Sequence, residues 1–127
     1  MRGFLIQNTM DRFLLCENPM KDSSRPIYIL QTIKHRMLIE VIPYENLEDI
    51  NYRLDDVFDL FTYESEVTEH YMLKVVEFYD LDITEIDNEI PEIRLHIKKA
   101  WKWFKAYIIW QDNQIDFEGD TDNFKFN

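Results

Sequence analysis

The stretch ENLEDINYRLDDVFDLFTYESEVTEHYMLKVVEFY, residues 45–79, decides the fold. In its first half Leu47, Ile50, Leu54, Val57 and Phe61 recur at three and four residues, a spacing that stacks them on one face of a helix. Asn46 stands where an N-cap belongs, and Glu48 and Asp49 follow in the first turn, near the positive end of the helix dipole. Opposite the apolar stripe, Glu48, Asp55, Asp56 and Asp59 form a face that is nearly pure carboxylate, with Tyr52 among them. Ser65 is a good N-cap for a second helix reaching about Tyr79, with Glu66 and Glu69 early in it. Its apolar residues, Val67, Tyr71, Met72, Val75, Val76, Phe78 and Tyr79, cover about half the helical wheel, which predicts contact with two neighbours, a sheet and another helix.

Outward from this stretch the pattern changes on both sides. Toward the N-terminus, short runs rich in Ile, Leu, Phe and Tyr are broken by turn residues, predicting strands near 3–7, 12–17, 27–32 and 37–42. Residues 8–11 and 33–36 would be hairpin turns, and 18–26 a polar loop holding Pro19 and Pro26 outside the strands. Toward the C-terminus, residues 80–89 alternate acid and apolar without choosing a period, and a third helix follows from about Pro91 to Trp110. Ile90, Ile93, Ile97, Trp101, Phe104 and Ile108 form its core face, with Arg94, Lys98, Lys102 and Lys105 along a neighbouring one. Beyond it, Ile115, Phe117, Phe124 and Phe126 alternate about Gly119 and Asp120, as a terminal hairpin, an edge strand or an acidic tail would. The expected fold is α+β, a single domain over 1–127 in which a small N-terminal antiparallel sheet of two hairpins packs against three C-terminal helices.

Composition bounds the function. A 127-residue chain with 46 % apolar residues should bury roughly two-thirds of its unfolded surface, enough for a core without staples. Cys16 is the only cysteine, so neither an intramolecular disulfide nor a cysteine-based zinc module can form, and a reducing, cytoplasmic setting is expected. Neither a signal-peptide core nor a membrane-length apolar run occurs. The net charge of −11 is uneven: residues 45–92 alone carry −14, from sixteen acids against two bases. Such a field opposes phosphate backbones and anionic lipid and favours a basic protein partner, so neither nucleic acid nor membrane is expected.

Catalytic motifs are scarce. With two glycines in the chain, Gly3 and Gly119, phosphate-cradling loops of the P-loop or dinucleotide type have no material, and no G-x-S-x-G elbow occurs. His35, His70 and His96 fall in a predicted turn and on two different predicted helices and make no metal motif. Glu66 and His70 share a helix face at i, i+4 but supply only two ligands. Cys16, between Leu15 and Glu17 in a predicted strand, reads as a small core residue. The acids around Gly119 do not meet the spacing of an EF-hand loop. No catalytic residue, metal or cofactor is therefore expected.

What remains is the carboxylate face. Asp55 with Asp59 and Asp56 with Asp59 are like-charge neighbours on the predicted helix, each pair costing it about 0.2–0.5 kcal/mol, so stability alone does not select them. They suggest a non-enzymatic binding protein, of the immunity, antitoxin-like or anti-defence inhibitor kind, that sets Tyr52, Asp55, Asp56 and Asp59 against a basic site on a partner. Two other classes fit the composition: a small enzyme or ligand-binding domain with a pocket between sheet and helices, and an assembly subunit joined through Trp103 and Trp110.

Overall fold

Five strands form one antiparallel sheet in the computed structural model, which describes residues 12–17 and 26–120, with side chains through Asn113. They are β1 (Phe13–Glu17), β2 (Ile27–Gln31), β3 (Met37–Tyr44), β4 (Phe58–Glu64) and β5 (Thr68–Phe78), in the spatial order β1-β2-β3-β5-β4. A short helix, α1 (Ile83–Ile86), leads through a 3₁₀ turn at Asp87–Glu89 into the long helix α2 (Ile90–Asp120). The α+β class is as expected, and β1, β2 and β3 fall where short apolar runs place them. The predicted strand at 3–7 and its turn lie outside the described residues.

Three features differ from the sequence reading. The sheet is not two hairpins but a β1-β2-β3 meander, extended by β5 and then β4. The helices are not three: residues 45–64 hold one 3₁₀ turn, Leu47–Asp49, then a loop with a turn over residues 53–56 and β4, and residues 68–78 are β5. Near the C-terminus, where alternation suggested a hairpin, an edge strand or an acidic tail, α2 continues to Asp120, and Phe124 and Phe126 lie outside the described residues.

Local chemistry explains the central change. Residues 67–79 are rich in Val, Thr, Tyr and Phe, side chains that fit a pleated surface better than a helix. The wide apolar arc of the helical wheel collects residues from both faces of a strand: adjacent Met72 and Leu73 are both fully buried, and successive side chains of a strand point to opposite faces. In β4 the period is also two. Asp59, Phe61 and Tyr63 pair with Leu73, Tyr71 and Glu69 on the face toward α2, while Phe58, Leu60 and Thr62 point the other way. Asn46 makes no side-chain cap, and the like-charged aspartates give a helix nothing to offset their repulsion.

The core lies between one sheet face and α2. Ile29, Met37, Ile39, Val41, Leu73 and Val75 meet Ile93, Ile97, Ala100, Trp101, Phe104 and Ile108, five of them on the predicted helix face. Aromatic rings tie the edges in: Phe61 stacks on Trp101 at 5.1 Å between centroids, and Phe13 lies 5.7 Å from Trp103. Among the described residues no helix is long and apolar enough to cross a membrane.

Leu54 tests this arrangement directly. A helix over 46–61 would put it in the apolar stripe, whereas here it is 100 % exposed. Leu54→Ala is therefore expected to change unfolding free energy by no more than about 0.5 kcal/mol in urea melts, against about 2–5 kcal/mol for a core leucine. A loss in the core range would contradict the observed path of the chain.

Candidate functional site

The aspartates singled out by charge surround the start of the edge strand β4. Tyr52 packs edge-on against Phe58, 5.2 Å between ring centroids. Asp56 accepts a hydrogen bond from the Arg53 backbone N–H at 2.7 Å and lies 3.9 Å from Lys74 Nζ, and Asp55 is 3.9 Å from Arg53 Nε. Tyr52, Arg53, Asp56 and Lys74 line one shallow depression of 300 Å³ with Asn51, Val75 and Val76. Asp59 does not share it: its register with Leu73 turns its side chain toward the α2 side of the edge. The uniform carboxylate helix face is thus replaced by a corner with two of its acids beside bases.

The acidity of 45–92 is nonetheless a surface property. None of its sixteen acids is buried, and among the described residues only Asp55, Asp56 and Asp80 approach a Lys or Arg within 4.0 Å. Arg94, Lys98, Lys102 and Lys105 are all exposed on α2. Of the two tryptophans considered for an interface, Trp103 is half-buried against Phe13 and Trp110 is exposed, stacked on Tyr107.

A second constellation is built by tertiary contact. The turn between β2 and β3 is held from inside by Gln31, whose Nε2 donates to the His35 carbonyl at 2.6 Å, and from outside by Asp80, whose carboxylate accepts the Arg36 backbone N–H at 3.0 and 3.1 Å. Tyr79 N–H donates to the Arg36 carbonyl at 3.0 Å, fastening the turn to the end of β5. This presents the buried His35 ring to the first turn of α2. His35 Nε2 is 3.4 Å from Glu89 Oε1 and 3.7 Å from Glu92 Oε2, and Nδ1 is 3.7 Å from Asp80 Oδ1.

His96, one helical turn beyond Glu92, closes the group: its Nε2 is 3.5 Å from Glu92 Oε2, and its ring stands edge-on to His35 at 6.1 Å. Arg12 Nη2 lies 3.1 Å from His96 Nδ1. A guanidinium only donates, so Nδ1 accepts and the ring proton sits on Nε2, facing Glu92. Burial, with the Arg12 charge beside it, holds the His96 pKa below the usual histidine range, against an opposing pull from Glu92. His35 Nδ1 and His96 Nε2 are buried without a hydrogen-bond partner.

Sequence spacing could not find this group, because His35 and His96 are far apart in the chain and no ligand motif spans a turn and a helix start. His70, by contrast, sits on β5 beside Thr62 and Tyr44, while Glu66 is in the β4–β5 turn, so their supposed shared helix face does not exist. Cys16 is half-exposed on β1 and does not belong to the core.

Between sheet and helix lies a 420 Å³ cleft lined by apolar residues with Glu17, Glu69, Tyr71 and Asp112 at its polar side. Tyr71 O–H donates to Glu69 and Tyr63 O–H to Asp112. Burial first, and then the Glu69 hydrogen bond and charge, push the Tyr71 phenol above the ordinary tyrosine range, so it stays neutral at physiological pH. None of the histidines lines this cleft, nor does Cys16. No family model matches the chain, and comparison with curated proteins and with solved structures gives no match.

Proposed function

We propose that the protein is a non-enzymatic binding protein that sets an acidic surface against a basic site on a protein partner, in the manner of an immunity or anti-defence inhibitor. The observation that carries this reading is that none of the sixteen acids of residues 45–92 is buried and that they are left largely without basic neighbours. A concentrated unneutralised field raises the encounter rate with an oppositely charged partner and orients it, while apolar and aromatic groups supply the short-range attraction. Tyr52, Asp55 and Asp56 just ahead of β4, with Asp59 on the other side of the sheet edge, are the proposed contact, which would therefore wrap the start of β4. Tyr52 is half-buried on Phe58 and so loses little side-chain freedom on docking. Asp59 and Glu64 on β4 also keep the edge from pairing with another copy of itself.

The test begins with affinity capture at low salt and continues with the purified partner. Its association rate is expected to fall about tenfold or more as salt is raised, and the triple reversal of Asp55, Asp56 and Asp59 to Lys should abolish detectable binding. A rate insensitive to salt, or an unchanged affinity of the triple variant, would refute the reading.

A further inference from the structure

The geometry around His35 points to a site for a divalent transition-metal ion of the zinc class, held by His35 Nε2, Glu89 and Glu92. Donor atoms of these three residues lie within 4.8 Å of one another. The two His35–carboxylate separations, 3.4 and 3.7 Å, exceed the usual hydrogen-bond range of about 2.7–3.2 Å. They are close to the spacing of two donors on one tetrahedral ion, about 3.3–3.6 Å when each donor is about 2.0–2.2 Å from the metal.

The surroundings favour this use over a plain ion pair. The His35 side chain is only 7 % exposed, and its Nδ1 has no hydrogen-bond partner but faces Asp80 Oδ1 at 3.7 Å. The Asp80 charge opposite Nδ1 favours the tautomer with the proton on Nδ1, which frees Nε2 to ligate; Asp80 stands, without a hydrogen bond, where a carboxylate–histidine–metal triad has its outer carboxylate. The buried, unpartnered Nε2 of His96 points at Glu92, so Arg12 and His96 act as positioning residues for that carboxylate rather than as ligands.

Charge also balances. The positive end of α2, worth about half an elementary charge, opposes a cation, and Arg36 offsets part of Asp80 at 3.9 Å. Glu89 and Glu92 are left with no Lys or Arg within 4.0 Å among the described residues, and Arg12 stands behind His96 rather than on either carboxylate. A nitrogen donor beside two carboxylates suits zinc, cobalt or nickel better than magnesium, which takes oxygen ligands. Three protein donors leave one tetrahedral position to solvent, and the bound ion would join the β2–β3 turn to the start of α2.

The experiment is calorimetric titration of the full chain with Zn²⁺, with Co²⁺ visible absorption as a second readout of ligand geometry. Because His35 is buried and its replacement would disturb the packing around the turn, the principal variant is the double Glu89→Gln, Glu92→Gln, at half-exposed and exposed side chains, with far-UV circular dichroism to confirm folding. One equivalent of Zn²⁺ should bind the wild type, bind the double variant at least tenfold more weakly, and bind His70→Gln as the wild type does. The unfolding midpoint should rise with Zn²⁺ in the wild type and not in the double variant. Absence of saturable binding to the wild type, equal affinity in the double variant, or equal loss in His70→Gln would each overturn the site and leave His35 as a histidine ringed by carboxylates.

Discussion

Val75→Pro is expected to abolish the cooperative fold. Val75 lies in β5, between β3 and β4, and its backbone N–H donates to the Val57 carbonyl at 2.9 Å. Proline removes that donor, leaves the carbonyl without its partner at a cost of about 1–3 kcal/mol, and replaces a side chain packed against Ile39 and the α2 face. The backbone distortion adds to this, because proline is not accommodated inside a central strand. The total is a large part of the about 5–15 kcal/mol that holds a domain together. Far-UV circular dichroism and urea titration would report it, and a wild-type unfolding midpoint in the variant would show that residues 68–78 are not a central strand.

Trp101→Ala is the second large effect, with an expected loss of about 3–5 kcal/mol. Trp101 is the hub between helix and sheet edge, stacked on Phe61 with 12° between ring planes and within 5.6 Å of Tyr71 and 6.4 Å of Phe104. Removing it opens a void that three aromatic rings line, and aligned rings do not collapse into such a void without leaving their rotamers. Trp110→Ala is the internal control. That ring is 56 % exposed and touches one other, Tyr107, so its loss should cost about 0.5 kcal/mol or less. Equal costs for the two tryptophans would mean that α2 is rotated about its axis relative to the sheet.

The histidine cluster shows why a site can be absent from sequence patterns. Glu92 and His96 stand four residues apart on α2, a spacing any helix provides by chance. Their significance depends on His35, delivered by the β2–β3 turn, and on Asp80, delivered by the end of β5. The signals that could have drawn attention were a histidine inside a hairpin turn, where an exposed polar residue would serve as well, and the acids gathered just ahead of the last helix. Neither names a ligand until the turn is folded against α2.

Several things were determined by the sequence alone: the α+β class, the strands β1 to β3, the long last helix with its Ile93–Ile97–Trp101–Phe104–Ile108 face, and the concentration of acid in residues 45–92. These rest on local periods, on turn residues and on counting charges, which need no neighbour to be read. Tertiary structure decided the state of residues 45–79. An apolar residue every three or four positions reports a helix only when those residues share one buried face, and here Leu47, Ile50, Leu54, Val57 and Phe61 fall in a 3₁₀ turn, a loop and an edge strand, with Leu54 fully exposed. The pairing of β5 with β3 and β4 satisfied its backbone from both sides and overrode the helical caps at Asn46 and Ser65. The same pairing carried Asp59 round the sheet edge from Tyr52 and Asp56, because contact across a sheet follows register rather than distance along the chain, and the folding of the β2–β3 turn against the start of α2, fastened by Tyr79 and Asp80, brought His35 to Glu89 and Glu92.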